Sequence, residues 1–210
     1  MHDFADIVRA GPHGLLSRGD LERIDAHIQD ALVAHDVLTE LQPTTLVDVG
    51  TGGGLPGIPL ALAFPLLHVH LVESLGWKCE FLLEAVQRLG IADRVQVHQL
   101  RAESAITEIE RESCDVGVCR ALASPSVALE YLSPLVRVGG SLILWTTAER
   151  LERDPVPARA AELLGIGSTP SIHSAPSPLR DAGVLAVWER VASCSTRVPR
   201  RVGVASRKPL

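Results

Sequence analysis

The chain has 210 residues, 46% of them hydrophobic and 21% charged, with a net charge of −5. That length and balance suit one globular α/β domain and exclude a disordered chain. Aromatic residues make up only 3%, so the core must be built from Leu, Val, Ile and Ala, and a base-stacking aromatic platform is not expected.

In chain order, residues 1–10 carry Asp3 and Asp6 and no basic run, unlike a secretory signal. Residues 20–40 place Leu21, Ile24, Ile28 and Leu32 at helical spacing, with Ser17 or Asp20 as a cap and Gln42-Pro43 as a stop. Residues 45–49 are a short β-branched run ending at glycine, a buried strand. Residues 56–63 follow as a helix whose first turn accommodates Pro56 and Pro59. A second strand is expected at 68–72. The apolar window 58–72 is too short and too interrupted by proline and histidine to cross a bilayer. Residues 76–89 read as an amphipathic helix with Trp77, Phe81, Leu82, Ala85 and Leu89 on one face, stopped by Gly90. The alternation continues with a strand at 94–98, a helix at 103–111, a strand at 115–119, a helix at 126–136, a Gly139-Gly140 turn and a strand at 141–145. Strands alternating with helices predict a doubly wound, mostly parallel sheet covered on both faces, with ligands at the carboxyl ends of the strands. Beyond it come a helix at 155–164, a Pro/Ser loop at 170–178 and one antiparallel strand at 184–190.

This order divides a single domain into an N-terminal helical extension (1–42), an α/β core (43–190) and a basic tail (191–210). The stretch 190–210 holds Arg190, Arg197, Arg200, Arg201, Arg207 and Lys208 and no acid, a local +6 that leaves the remainder at −11. An anionic partner such as RNA would meet such a tail, and a solubilising terminus would carry the same charges. Cys79, Cys114, Cys119 and Cys194 form no CxxC pair and the eight histidines do not cluster, so reduced thiols and no metal site are expected.

The chemistry is concentrated in the turn after the first strand, Val47-Asp48-Val49-Gly50-Thr51-Gly52-Gly53-Gly54-Leu55-Pro56-Gly57. Glycines let the backbone turn tightly and approach a ligand, and the following helix presents free N–H groups. Gly52, Gly54 and Gly57 formally match the dinucleotide fingerprint. Asp48 at the strand end suits the ammonium and sulfonium side of S-adenosylmethionine better than a pyrophosphate, and Pro56 removes an N–H that would cradle a phosphate. S-adenosylmethionine is therefore favoured over NAD. Glu73 ends the second strand, where a carboxylate can accept both ribose hydroxyls of either cofactor. Arg101-Ala102-Glu103 follows the third strand, placed to border an adenine. Arg120 follows the fourth, where its planar fork can hold a methionine carboxylate or an RNA phosphate.

Four segments together, VDVGTGGGLPGIP at 47–59, VESLGWKCEFL at 72–82, Arg101–Glu103 and RALAS at 120–124, closely resemble the small-subunit ribosomal RNA guanine-N7 methyltransferases, first named glucose-inhibited division protein B. His27-Ile28-Gln29-Asp30-Ala31-Leu32 and the basic ending (199–203 and 208–210) are similar to the family's corresponding segments. The resemblance implies a class I methyltransferase fold, Rossmann-like, with a short N-terminal helical extension. It also implies S-adenosyl-L-methionine as cofactor, 16S rRNA in the small ribosomal subunit as partner, a cytoplasmic location and a monomer. Carried over by position, the cofactor contacts fall on Gly50, Leu55, Ala102, Glu103 and Arg120, beside Gly52 and Glu73 from the residue reading. The chain departs from the family pattern at Ala26, where an arginine is common, and at Trp77, where a basic residue is common. Only 26 residues precede His27, without the family's Trp-Asn…Asn-Leu-Thr segment.

Guanine N7 has a lone pair and no proton, so alignment should supply most of the rate and no residue is expected to act as catalytic acid or base. Alternatives to this reading are a methyltransferase for another RNA or a small molecule, a non-catalytic S-adenosylmethionine- or RNA-binding assembly protein, and an NAD-dependent oxidoreductase.

Overall fold

The computed structural model describes all 210 residues. The β-branched runs form strands β1 (Thr45–Val49), β2 (His68–Glu73), β3 (Val95–Gln99), β4 (Cys114–Arg120), β5 (Val136–Thr147), β6 (Ser171–Ser174) and β7 (Gly183–Glu189). They make one sheet in the order β3-β2-β1-β4-β5-β7-β6. The first five are mutually parallel, and β7 and β6 add antiparallel pairs at one edge. Only β7 runs against the other strands, the one antiparallel strand that the sequence pattern indicates; β6, antiparallel to β7, points the same way as the first five and is an additional edge strand. The extra strand, β6, lies in the stretch expected to be a Pro/Ser loop. Only His173 in it is even partly buried, so it carries no apolar run to betray it. Strand order reverses between β1 and β4, which opens a cleft over the carboxyl ends of Val49, Glu73 and Arg120.

Alternation along β1 decides which side chain reaches which face. Leu46 joins a core layer with Val69, Leu71, Val116 and Ile143, covered by helices α1 (His2–Arg9), α3 (Ile24–Leu32), α5 (Gly57–Ala63) and α6 (Gly76–Arg88). Val47 and Val49 join the opposite layer with Val72, Leu142 and Leu144, covered by α7 (Pro125–Leu132) and α9 (Ala158–Leu164). Asp48 therefore falls on the α5 side, beneath the glycine turn.

Several elements differ from the sequence pattern. The helix expected at 20–40 is three: α2 (Arg18–Glu22), α3 and α4 (His35–Leu41). Ser17 does cap the first, its Oγ accepting from Asp20 N at 3.2 Å. Arg23 leaves helical geometry at φ −106°, ψ 22°, and Gln42 ends α4 in the left-handed region. The helix expected at 103–111 is a tight 3-10 turn, Ala102–Thr107, whose last residue turns its hydroxyl back to Ser104 O at 2.8 Å. The helix expected at 126–136 ends at Leu132, and Gly139-Gly140 lies inside β5 at a register shift rather than before it. A Cβ on Gly140 would stand 2.5 Å from Asp115 O, so glycine permits the irregularity. Trp77, expected on the buried face of α6, is 39% exposed, with Lys78 Nζ 5.5 Å from its ring. Two short helices, α1 and α8 (Ala148–Arg153), have no counterpart in the sequence pattern.

The basic stretch 190–210 packs onto the body. Arg190 is fully buried at the end of the sheet opposite the cleft, donating to Val136 O at 3.0 Å, to Glu112 Oε1 at 2.6 Å and to Leu164 O. Val198 and Ala205 enter the α7 side of the core, and residues 204–207 form a last helical turn, α10 (Val204–Arg207).

Candidate active site

The glycine turn is held from behind. Gly50 and Thr51 donate their N–H groups to Val72 O at 2.9 and 3.2 Å, and Thr51 O accepts from Gly54 and Leu55. Gly50 sits at φ +77°, where a Cβ would meet Leu122 Cδ1 at 2.6 Å, so both conformation and space require glycine. Gly52, at φ +58°, has nothing within 4 Å of its Cβ position and faces open space. Gly57 is closed on its inner side, where a Cβ would run into Leu71 and stand 2.9 Å from Asp48 Oδ2.

This arrangement corrects the expectation for Asp48. It is fully buried, its Oδ2 accepts from Gly57 N at 2.8 Å, and it lines neither cavity of the cleft. Its Oδ1 makes no well-formed hydrogen bond, and burial pushes the carboxyl up to about 6 against the opposing pull of the nearby Thr51 hydroxyl and the Gly57 N–H. The side chain supports the turn from below instead of facing a ligand.

Glu73, at the end of β2, is 8% exposed. Its Oε2 accepts from Gly52 N at 3.1 Å, and its Oε1 accepts from Ser74 N at 2.7 Å and Leu75 N at 2.9 Å. Three backbone donors fix the carboxylate and leave lone pairs facing the cleft.

Two cavities share the cleft. The larger, about 730 Å³, is lined by Gly50, Gly52, Glu73, Ala102, Glu103 and Arg120, so six of the seven residues expected to hold the cofactor come together. The seventh, Leu55, lies in the smaller cavity of about 400 Å³, which Gly50, Gly52 and Arg120 also line. Both volumes are of ligand-site size. The larger one suits a nucleoside: an open glycine backbone at Gly52, a fixed carboxylate at Glu73 for hydroxyl donors, and a polar turn at Ala102-Glu103 beyond it.

The smaller cavity gathers Lys78, Arg120, Arg150 and Arg180 around a single acid, Asp30, with His27, Trp145 and Thr146. Asp30 organises the wall. Its Oδ2 accepts from Arg120 Nη1 at 2.9 Å, and its Oδ1 accepts from Ser177 Oγ at 2.6 Å and from Arg180 Nη2 at 2.7 Å. Its backbone carbonyl takes the Trp145 indole N–H at 2.8 Å. Burial pushes this carboxyl up, but the Ser177 hydroxyl and the two guanidiniums outweigh it and hold it below the usual range. His27 is kept below its ordinary value by burial and by Arg120, which suits a neutral ring that accepts from Arg120 Nη1 on Nδ1 (3.4 Å) and donates to Asp20 from Nε2 (3.2 Å). Thr51 Oγ1, Thr146 Oγ1 and Arg150 Nε in this wall have no hydrogen-bond partner, an uncommon state for buried polar atoms. No group of three His, Cys, Asp or Glu side chains is arranged to hold a metal.

Sequence reasoning missed Asp30, Thr146, Arg150 and Arg180. Asp30 sits in a segment that the family resemblance covers, yet its partners are 90 and 150 positions away. Arg200 belongs to the tail whose charge suggested an anionic partner. It instead clamps the fully buried Glu130 of α7, with Nε–Oε1 at 2.8 Å and Nη2–Oε2 at 2.6 Å. Arg197, Arg201, Arg207 and Lys208 remain exposed.

A doubly wound sheet carrying this turn, with a nucleoside-sized cavity joined to a second, cationic one, defines a class I S-adenosylmethionine-dependent methyltransferase. Solved structures share the fold. A geranyl diphosphate C-methyltransferase from Streptomyces coelicolor, in complex with Mg²⁺, geranyl diphosphate and S-adenosyl-L-homocysteine, superposes with a TM-score of 0.58 at 16% identity over 82% of this chain and 80% of that one. An O-methyltransferase family protein from Burkholderia thailandensis gives 0.53 at 14% identity over 78% and 58%. The sequence profile described as rRNA small subunit methyltransferase G matches residues 9–163, and the chain belongs to that family. Curated relatives named ribosomal RNA small subunit methyltransferase G include one from Alkaliphilus metalliredigens, 38% identical over 79% of this chain and 70% of its own length. Another, from Syntrophomonas wolfei, is 33% identical over 94% and 92%. No helix is long and apolar enough to cross a membrane.

Proposed function

We propose that this chain methylates N7 of one guanine in the 16S rRNA of the small ribosomal subunit. The observation that carries the reading is the junction of the two cavities at Gly50, Gly52, Lys78, Arg120 and Ala121, with the nucleoside-sized space of Glu73, Ala102 and Glu103 on one side and Arg150 and Arg180 on the other. The relatives' names supply the RNA class.

In this reading Gly50 and Gly52 present backbone to the cofactor and Glu73 accepts from its ribose hydroxyls. Ala102 and Glu103 border its purine, and Leu55 lines the smaller cavity into which the methyl group would point. Only Nη1 of Arg120 is bonded within the protein, so Nε and Nη2 are free for a carboxylate or phosphate. S-adenosylmethionine, when bound, supplies an electrophilic methyl group. Guanine N7 brings its own lone pair, so no side chain need remove a proton first. The protein's contribution is to hold the base edge-on in the cationic cavity, with Asp30 fixing Arg120 and Arg180, and to exclude water. Exposed Arg197, Arg201, Arg207 and Lys208 would position the RNA through its phosphates without reading the base. All the residues given roles in this reading lie in one chain, which is compatible with action as a monomer, and a 16S rRNA substrate would be met in the cytoplasm.

The test supplies tritiated S-adenosylmethionine with free 16S rRNA, with small subunits lacking the modification, and with no RNA. Label in 16S rRNA supports the proposal. Binding of S-adenosylhomocysteine without label transfer would leave a non-catalytic assembly protein. Stabilisation by NAD and not by S-adenosylhomocysteine would overturn the cofactor assignment.

A further inference from the structure

The basic tail has an inner face as well as an outer one. Val202, Gly203 and Ser206 line the larger cavity, opposite Glu73 and beside Glu103 and Tyr131. Three contacts hold them there. Gly203 N donates to Glu103 Oε1 at 2.8 Å. Tyr131 Oη lies 3.2 Å from Ser206 Oγ and donates to the same Glu103 oxygen at 3.4 Å. Next to them, Arg200 makes its two-pronged ion pair with buried Glu130, and Ala205 is fully buried. The anchor fixes the segment's position, and the residues that face the cavity are not themselves consumed in packing: Val202 is 53% exposed.

We propose that residues 202–206 form the outer wall of the purine end of the cofactor site. The inference rests on the cofactor placement proposed above. Glu103 follows β3, at the end of the cavity away from the turn that meets the methyl-transfer cavity. One of its carboxylate oxygens is committed to Gly203 N–H and Tyr131; the other, Oε2, has no partner within the protein and can accept from the exocyclic amino group of a 6-aminopurine. Val202 supplies the apolar surface against the ring, and Gly203, lacking a side chain, keeps the approach open. Glu103 thereby ties the tail to the cofactor, so a bound nucleoside and a docked tail stabilise one another. The charges on the outer face (Arg201, Arg207, Lys208) then sit on a segment whose inner face touches cofactor.

Two measurements on the full-length chain test this. Val202→Asp places a carboxylate on the wall at an exposed position, so the fold should be retained and the melting temperature without ligand unchanged. Calorimetric titration with S-adenosylhomocysteine should show Kd raised at least tenfold. Second, trypsin cleavage after Arg201 in the unmodified chain should slow severalfold when S-adenosylhomocysteine is added. A Kd within twofold of the parent, or cleavage at Arg201 indifferent to S-adenosylhomocysteine, would overturn the inference. Failure of the parent chain to bind S-adenosylhomocysteine would instead refute the cofactor placement on which it rests.

Discussion

Replacing Asp48 by Asn tests how the glycine turn is supported. The carboxyl is fully buried, holds Gly57 N–H through Oδ2, and leaves Oδ1 unpaired. Burial raises it from 3.8 to about 6. The native state therefore binds this proton more tightly than the unfolded chain does. The contribution to stability is fully present below pH 3.8 and is lost as the pH rises through about 6. At about 1.36 kcal/mol per unit, the loss across that window is about 3 kcal/mol. Asn keeps an acceptor for Gly57 and does not titrate, while its amide group, set where Oδ1 has no partner, costs about 1–3 kcal/mol at every pH. The stability of the Asn variant relative to the parent should thus improve by about 3 kcal/mol between about pH 4 and pH 7. Urea unfolding of both chains across that range measures the difference, in which other titrating groups cancel. A difference independent of pH, or one that moves against Asn as the pH rises, would refute the account of Asp48 as a desolvated support beneath the turn.

Other outcomes follow from the same geometry. Glu73→Gln removes a charge that accepts from three backbone N–H groups and, in the proposed reading, from the ribose hydroxyls, so S-adenosylhomocysteine affinity should fall at least tenfold by calorimetry; unchanged affinity would remove Glu73 from the site. Asp30→Ala leaves the partly exposed Arg120 and Arg180 without their common acid, which should cost about 1–3 kcal/mol in chemical unfolding and reduce methyl transfer, even though Asp30 does not line the larger cavity. Arg200→Ala should destabilise by about 3–5 kcal/mol by leaving Glu130 charged and buried. Replacing exposed Arg201, Arg207 and Lys208 by Ala should leave stability unchanged and make rRNA binding less sensitive to salt, the slope falling by about 0.7 for each phosphate of single-stranded RNA no longer neutralised. If Arg200→Ala and these surface replacements behaved alike, the division of the tail into anchor and RNA-facing residues would be wrong.

β1, β2 and β4 are legible because each is a short, largely apolar run closed by glycine or a charged residue, β3 by its alternation and β5 by the apolar run after Gly140, and the parallel order follows from the helices between them. Glu73, Ala102, Glu103 and Arg120 can be nominated because a doubly wound sheet brings every such strand end to one cleft. The breaks in the N-terminal helix are not legible: Leu21, Ile24, Ile28 and Leu32 keep helical spacing across Arg23, where the backbone turns away. Asp30 is invisible as an organiser because its meaning lies in Arg120, Ser177 and Arg180, which only the fold brings to it. Composition shows the tail's charge without its partners. Glu112 and Glu130 take two of the six cations into the body, and Val202, Gly203 and Ser206 of the tail line the larger cavity.

The most direct test of the central claim is the position and chemistry of the methyl group. Small subunits lacking the modification are incubated with the protein and S-adenosylmethionine. The extracted 16S rRNA is then treated with borohydride and aniline, which cleave the chain at N7-methylguanosine, and the ends are mapped by primer extension. The account predicts one new cleavage, at a guanine, that requires both protein and S-adenosylmethionine. Methyl incorporation into 16S rRNA without any such cleavage, or no incorporation by a chain that binds S-adenosylhomocysteine, would contradict it.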